Sequence, residues 1–327
     1  MSRKLTIRCE TWKLAGTFTI SRGSKTEAEV VVVELEEDGK VGRGECVPYA
    51  RYKESISGVI EQIEKLRPAI EGGVGRPRLR KLVAHGAARN AIDCALWDLE
   101  AKRAGQRAWQ IAGLATPHDV TTAYTLSLDT PEKMAATAKA NADRPLLKLK
   151  LAGPGDLARV QAVHQAAPRA RLMVDANEGW SVADYNALAP QLKDLGVVLI
   201  EQPLPAGDDI ALLGLTRPVP VCADESCHDL STLRTLKGRY DAVNIKLDKS
   251  GGLTEALAMA AEAKRFEFQV MVGCMVATSL AMAPAFLVAQ QAEFVDLDGP
   301  LLMAEDRPHG FAFTGSTMHP NGPELWG

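Results

Sequence analysis

The chain has 327 residues, 46% of them hydrophobic, and a net charge of −3. That is ample material for a large core, and the mild acidity leaves no basic footprint for nucleic acid. No run of 18 apolar residues is present, which argues against a transmembrane helix and a membrane partner.

The first stretch, MSRKLTIRCETWK, lacks an apolar segment of the signal-peptide kind. The six cysteines (Cys9, Cys46, Cys94, Cys222, Cys227 and Cys274) form no CxxC pair and are too sparse for a disulfide framework, so a reducing cytoplasm is expected. AEVVVVELEEDGKVGRGECV, residues 28–47, reads as two strands joined by a tight turn at Asp38-Gly39. Helical patterns follow at about 55–66 and over HGAARNAIDCALWDLEAKRAG, where Gly105 is the stop. A hairpin followed by helices predicts a small α+β domain over residues 1–115.

From about residue 118 the pattern becomes regular. VTTAYTLSL, LLKLK, RLMVDAN, VVLIEQP, VPVCADES, AVNIKLD, FQVMVGC and EFVDLDGP alternate with alanine-rich helical stretches. Eight such units are the count for an α/β barrel of the TIM type. The alternative is an open doubly wound sheet, which wants a glycine-rich phosphate turn after its first strand. TLSLDTPEK is not one, and EGGVGRP (71–77) follows a helix and ends in proline.

The last residues of these runs are charged or polar: Lys148 and Lys150, Asp175 and Asn177, Glu201, Asp224 and Glu225, Lys246, then Asp296 and Asp298. Lys150 to Asp175 is 25 residues, Asp175 to Glu201 is 26, Glu201 to Asp224 is 23 and Asp224 to Lys246 is 22, one βα unit each time. Charges so spaced converge on the C-terminal rim of a barrel, where such folds build active sites. Taken singly, an acid after a strand is a helix cap or turn former, and a lysine pair is the solvated face of an edge strand. Those readings fail on the set, because a barrel has no edge strand and five consecutive strands end alike.

Asp175, Glu201 and Asp224 make a hard, all-oxygen donor set suited to Mg2+ or Mn2+. No histidine or cysteine stands at these positions, which argues against zinc. Strand alternation puts Lys148 and Lys150 on one face. A lysine serves as a base only if its pKa falls well below about 10.4, and burial or a neighbouring cation lowers it. Lys148 is therefore expected to touch a substrate carboxylate and to depress Lys150, the base nearer the mouth. Lys246, on the opposite side, would return the proton to the other face. A metal stabilises the enediolate left when the proton α to a carboxylate is removed. The reaction is then a racemisation or epimerisation. A Schiff-base lysine and a barrel used only for binding stay as alternatives, the former weakened because it needs no metal.

These motifs resemble the enolase superfamily, specifically its muconate-lactonising subgroup. ARNAIDCALWDLEAK (88–102), KxK, DAN, EQP, ADES and NIKLDKSGG stand in the family's order over nearly the whole chain. The resemblance implies a (β/α)7β barrel over 116–300 beneath the N-terminal capping domain, with residues 301–327 returning to the cap. Within the subgroup the chain is most similar to the L-Ala-D/L-Glu (dipeptide) epimerases of murein peptide recycling. That similarity implies a dipeptide substrate whose α-ammonium is held by Asp296 and Asp298. It implies that Arg22, in FTISRGSKTEAE, a mobile loop over the site, pairs with the glutamate side-chain carboxylate, with Arg51 of VPYARYKES a competitor. Thr125 and Cys274 would contact substrate, and Asn177 and Glu225 would support the metal ligands. GCMVATSLAMAP, after the seventh strand, departs from the family and leaves the side-chain pocket open. Another dipeptide specificity, or a cycloisomerase or o-succinylbenzoate-synthase-like reaction, is the alternative on the same fold. Association into a homo-oligomer is not legible in the sequence.

Overall fold

The computed structural model describes residues 3–327. Strands β1 (Lys4–Ile20), β2 (Gly23–Glu37) and β3 (Lys40–Cys46) form an antiparallel sheet. Asp38 and Gly39 turn β2 into β3 with φ of +52° and +70°, the geometry for which an Asp-Gly pair is suited. β1 adds a strand to the pair the sequence suggested. The segment expected as a mobile loop is its paired end: Phe18, Thr19 and Ile20 face Lys25, Ser24 and Gly23 across the ribbon. Its β-branched and aromatic residues favour that extended pairing.

The middle of β2 is buried on both faces. Val31, Val33 and Leu35 join a cap core with helices α1 (Ile56–Glu71) and α2 (Ala87–Ala104), while Val30 and Val32 join the larger core of the barrel. α1 starts at Ser55, whose side chain accepts from Gly58 N, and runs five residues past the expected end. α2 ends at Gly105, in the left-handed region at φ +64°. It lies against β3 so closely that a Cβ on Gly44 would stand 2.1 Å from Ala91 O.

The barrel strands are β4 (Tyr124–Leu126), β5 (Leu146–Lys150), β6 (Arg171–Asp175), β7 (Val197–Glu201), β8 (Val221–Ala223), β9 (Ala242–Ile245), β10 (Gln269–Gly273) and β11 (Phe294–Asp296). They are parallel and hydrogen-bonded in chain order. Ala123 N donates to Val295 O at 2.8 Å and Thr125 N to the Asp298 carboxylate at 2.6 Å, bringing the first and last strands together. The crossovers are α3 (Pro131–Ala140), α4 (Asp156–Ala166), α5 (Val182–Asp194), a 3-10 turn (Asp209–Gly214), α6 (Leu230–Leu236), α7 (Leu253–Arg265) and α8 (Ser279–Ala289). Seven crossovers between eight strands make a (β/α)7β barrel, with the fourth helix reduced to that turn.

Alternation along the strands builds the interior in layers. Ala123, Leu146, Met173, Leu199, Cys222, Ala242, Met271 and Phe294 form an apolar plug at the bottom. Each buried Leu or Met there contributes about 2 kcal/mol. The next inward residues are polar: Thr125, Lys148, Asp175, Glu201, Asp224, Asn244 and Asp296. The C-terminal end lies on the cap, where Gly327 N donates to Asp98 Oδ1 at 2.7 Å and Trp326 Nε1 to Cys94 O at 3.1 Å.

Candidate active site

β5 and β9 are the second and sixth of eight strands, half-way round the barrel from each other. Lys150 ends the former, Lys246 follows the latter, and the carboxylates of β6, β7 and the end of β8 lie between. Asp175 and Glu201 are register partners on adjacent strands. All three acids are at least 98% buried.

The lysines and carboxylates interleave. Asp175 Oδ2 is 2.6 Å from Lys150 Nζ and 3.6 Å from Lys148 Nζ, so one carboxylate sits between the two like charges of LLKLK. Lys148 Nζ also lies 2.6 Å from Glu201 Oε2 and 2.6 Å from Asp296 Oδ2. Burial works against its ammonium, but Asp296, Glu201 and Asp175 together raise its pKa well above the usual lysine value. Lys246 Nζ, 2.7 Å from Asp224 and 4.0 Å from Glu201, is likewise raised by those acids against its burial. Lys249 donates to Asp224 O and Oδ1, each at 2.6 Å. Burial would raise the Asp224 carboxyl; Lys246 and Lys249 outweigh it and hold it well below the carboxylate range.

Glu201 is different. Burial first and Asp175 second push its carboxyl up although Lys148 is close. Burial, Asp224 and Asp175 push Glu225 up to about 7. Asn177 Oδ1, Glu225 Oε2 and Asp296 Oδ1 are buried without a hydrogen-bond donor among the described residues, and Glu201 Oε2 has the Lys148 ammonium at 2.6 Å. These buried acceptor oxygens lie beside a donor set without nitrogen or sulfur. The residues fit a hard divalent cation. Among the described residues no three acids or histidines are already gathered as a ligand set. Asp175, Glu201 and Asp224 are each turned to a lysine instead.

The strand ends are held in uncommon backbone. Asn177 (φ +45°) and Glu178 (+67°) follow β6, and Gln202 (+34°) follows β7. Such non-glycine conformations cost about 1–3 kcal/mol each and cluster at functional sites. Gln202 Oε1 repays this by accepting from Asp224 N at 2.9 Å and Ser226 N at 3.1 Å, which aims the end of β8. Asn244 Nδ2 donates to Glu201 Oε1 at 2.8 Å.

A cavity of about 500 Å3 stands over the rim. Lys150, Asn177, Asp224, Lys246 and Cys274 line its floor; the β1–β2 tip (Phe18, Ile20, Arg22, Lys25) and the loop Val47–Tyr52 line its roof. Lys148, Asp175, Glu201, Asp296 and Asp298 do not line it. Asp298 accepts from Thr125 N, and burial and Asp296 push its carboxyl up to about 7. Thr125 itself lines a separate recess of about 320 Å3 on the other side of Phe18. Cys274 is kept a thiol by burial and by Asp296 and Asp298.

Arg22 is anchored to the barrel rim: it reaches Glu225 at 2.7 Å, Asn177 O at 3.0 Å, Tyr49 Oη at 3.2 Å and Glu178 at 3.3 Å. Arg51 forks onto Glu178 at 2.6 and 2.7 Å. Three residues of the site escaped the sequence reading. Lys249 had a usable signal, since three residues after Lys246 on one helical turn it returns to the same side. Lys25 and Tyr52 had none, because cap segments far away in sequence bring them in.

Family models match both parts of the chain: the mandelate racemase/muconate lactonizing enzyme N-terminal domain over 2–113, and the enolase C-terminal domain-like family over 133–323. The L-Ala-D/L-Glu epimerase of Escherichia coli K12 is 49% identical, over 95% of this chain and 97% of that protein. An N-acetyl-D-glutamate racemase of a Pseudoalteromonas species is 46% identical, over 91% and 95%. An Agrobacterium tumefaciens enolase family member, solved with sodium and L-Ala-L-Glu, superposes with a TM-score of 0.98 at 52% identity, covering 99% of this chain and 100% of that one. An Enterococcus faecalis dipeptide epimerase with Mg and L-Leu-L-Tyr gives 0.90 at 31%, covering 98% and 97%. With both of its parts matched, the chain belongs to the mandelate racemase/muconate lactonizing enzyme family of the enolase superfamily.

Proposed function

We propose that the chain is a Mg2+-dependent dipeptide epimerase that interconverts L-Ala-D-Glu and L-Ala-L-Glu. The observation that carries this is the pair Lys150 and Lys246, half-way round the barrel from each other and both lining one cavity. A substrate carbon between them can lose its α-proton to one lysine and regain a proton from the other. Asp175, Glu201 and Asp224 would hold Mg2+, which supplies stabilisation for the negative charge that gathers on the substrate carboxylate. Lys148 and Lys249 fix the carboxylates from below, and Arg22 fixes the roof. Asp296 and Asp298 would take the α-ammonium, with Asp296 Oδ1 a buried acceptor without a donor among the described residues. The division into a cap (1–115), a barrel (116–300) and a returning tail (301–327) belongs to the same proposal. It is supported by the Gly327–Asp98 contact. The natural source of an L-Ala-D-Glu unit is murein, so the reading includes peptide recycling in the cytoplasm, in keeping with six unpaired cysteines.

The test is deuterium uptake at the glutamate α-carbon of L-Ala-D-Glu in D2O, with loss of turnover in excess EDTA and recovery on adding Mg2+. EDTA-resistant turnover would sink the metal role. A second reading, racemisation of an N-acylglutamate, is favoured by the Pseudoalteromonas relative and by the engagement of Asp296 and Asp298 with Lys148 and Thr125. Equal or higher kcat/KM on N-acetylglutamate, with Asp298→Asn harmless, would favour it.

A further inference from the structure

We propose that Asp209, the first residue of the 3-10 turn, is a positioning residue for the metal site: its carboxylate sets the direction of a hydrogen-bond relay that ends on Asp224. The inference rests on the metal role that the epimerase reading gives Asp175, Glu201 and Asp224.

None of the side chains in this relay lines the substrate cavity. Asp209 is 2% exposed. Its Oδ2 accepts from Ser226 Oγ at 2.6 Å and from Tyr240 Oη at 2.7 Å, and its Oδ1 accepts from Arg239 Nη1 at 2.7 Å. A carboxylate only accepts, and a hydroxyl has one hydrogen to give. Ser226 and Tyr240 therefore give their hydrogens to Asp209 and turn lone pairs to Gln202. The Gln202 amide nitrogen donates there, at 3.0 Å to Ser226 Oγ and 2.9 Å to Tyr240 Oη. With Nε2 so directed, Oε1 faces the backbone N–H groups of Asp224 and Ser226. From Asp224 N out to Asp209 every donor points the same way.

The relay joins the ends of two neighbouring strands to the turn that stands in for a crossover helix. Lys246 and Lys249 hold the Asp224 carboxylate, and Asp209 holds its backbone through Gln202. An asparagine at position 209 has the same shape and the wrong set of donors. Arg239 only donates, so the amide oxygen must face it and the amide nitrogen must face the two hydroxyls. Their hydrogens then turn to Gln202, the Gln202 amide must flip, and its nitrogen meets the N–H of Asp224. A buried donor is left without an acceptor, and the end of β8 loses its fixed position.

The test titrates the metal-free protein with Mn2+, reading free Mn2+ by electron paramagnetic resonance, with far-ultraviolet circular dichroism as the check on folding. Wild type binds Mn2+, and Asp224→Asn loses that binding. Asp209→Asn binds Mn2+ about 10- to 100-fold more weakly with an unchanged dichroism spectrum, the loss typical when the support of a metal ligand is removed. Arg239→Met removes the group that dictates the amide orientation. The double variant Asp209→Asn, Arg239→Met therefore recovers most of the wild-type affinity, whereas a purely structural role would leave it no better than Asp209→Asn. If Asp209→Asn does not fold, the double variant Ser226→Ala, Tyr240→Phe breaks the same relay at its middle and shows the same loss of affinity. Wild-type affinity in either of these relay variants, or a loss in Asp209→Asn that Arg239→Met does not restore, would overturn the proposal and leave the metal reading intact. A wild type that binds no Mn2+ would overturn the metal reading, and this inference with it.

Discussion

At the residue scale the two lysines of LLKLK are matched by carboxylates. Asp175 stands between Lys148 and Lys150, and Lys148 has two further acids, Glu201 and Asp296, around it. Strand alternation predicts that Lys148 touches a substrate carboxylate and depresses Lys150; in the structure Asp296, Glu201 and Asp175 surround its ammonium. Lys249 plays a comparable part for Asp224. Lys249→Met leaves a buried carboxylate with one cation fewer and two carbonyls, Asp224 O and Asn244 O, without their donor. It is expected to cost about 3–5 kcal/mol in urea unfolding. A cost below about 1 kcal/mol would show that Lys246 alone suffices for Asp224.

At the scale of elements, the cap helix α2 and the barrel helix α7 meet where the sequence reads SGG. A Cβ on Gly252, at φ +106°, would stand 2.6 Å from Asp93. That close approach lets Asp93 accept from Thr254 N at 2.9 Å and from Thr254 Oγ1 at 2.6 Å. Gly252→Ala should therefore cost at least about 2 kcal/mol, from strained backbone and from collision with Asp93, read as a lower urea midpoint. Burial pushes the Asp93 carboxyl up to about 6 despite those donors. A raised acid binds its proton more tightly folded than unfolded. Its contribution is present below about pH 4 and is lost as pH rises through about 6, an amount of about 3 kcal/mol. Unfolding of wild type and Asp93→Asn at pH 4, 5, 6 and 7 should diverge in that sense, the variant gaining relative stability as pH rises. Parallel profiles would contradict it. The barrel elements and their polar ends were legible because period-two alternation and one-unit spacing are local signals. The β1–β2 tip was not, since its returning strand begins Gly23, Ser24, Lys25, a composition that a loop shares.

At the scale of the molecule, the cap and barrel share polar ties as well as core. Glu45 of β3 accepts from Thr278 N at 2.9 Å and from Arg307 at 2.7 and 2.9 Å. Asp248 accepts from Val47 N at 3.0 Å and Asn90 Nδ2 at 2.8 Å. Arg89 donates to Ser250 O at 2.5 Å and Trp97 Nε1 to Thr254 at 2.9 Å. Ties this numerous and buried predict one cooperative transition, with fluorescence and far-ultraviolet circular dichroism superimposing in urea; two separated transitions would show that the cap unfolds alone. The same assembly explains why the floor of the candidate site is legible in the spacing of the strands, while the roof segments with Arg22 and Arg51 are placed only by the family resemblance. The floor is written once per βα unit. The roof, with Lys25 and Tyr52, comes from residues whose distance to the floor only the docked cap defines.

The central claim is that Lys150 and Lys246 serve opposite faces of one carbon. It is tested most directly by α-proton exchange in D2O with each epimer of L-Ala-Glu, using Lys150→Met and Lys246→Met. Each variant should stop interconverting the epimers, by about 1,000-fold or more. Each should still exchange the proton of the one epimer that faces its remaining lysine, and the two should choose opposite epimers. A variant that still interconverts them, or two variants that retain exchange on the same epimer, would contradict the two-sided arrangement.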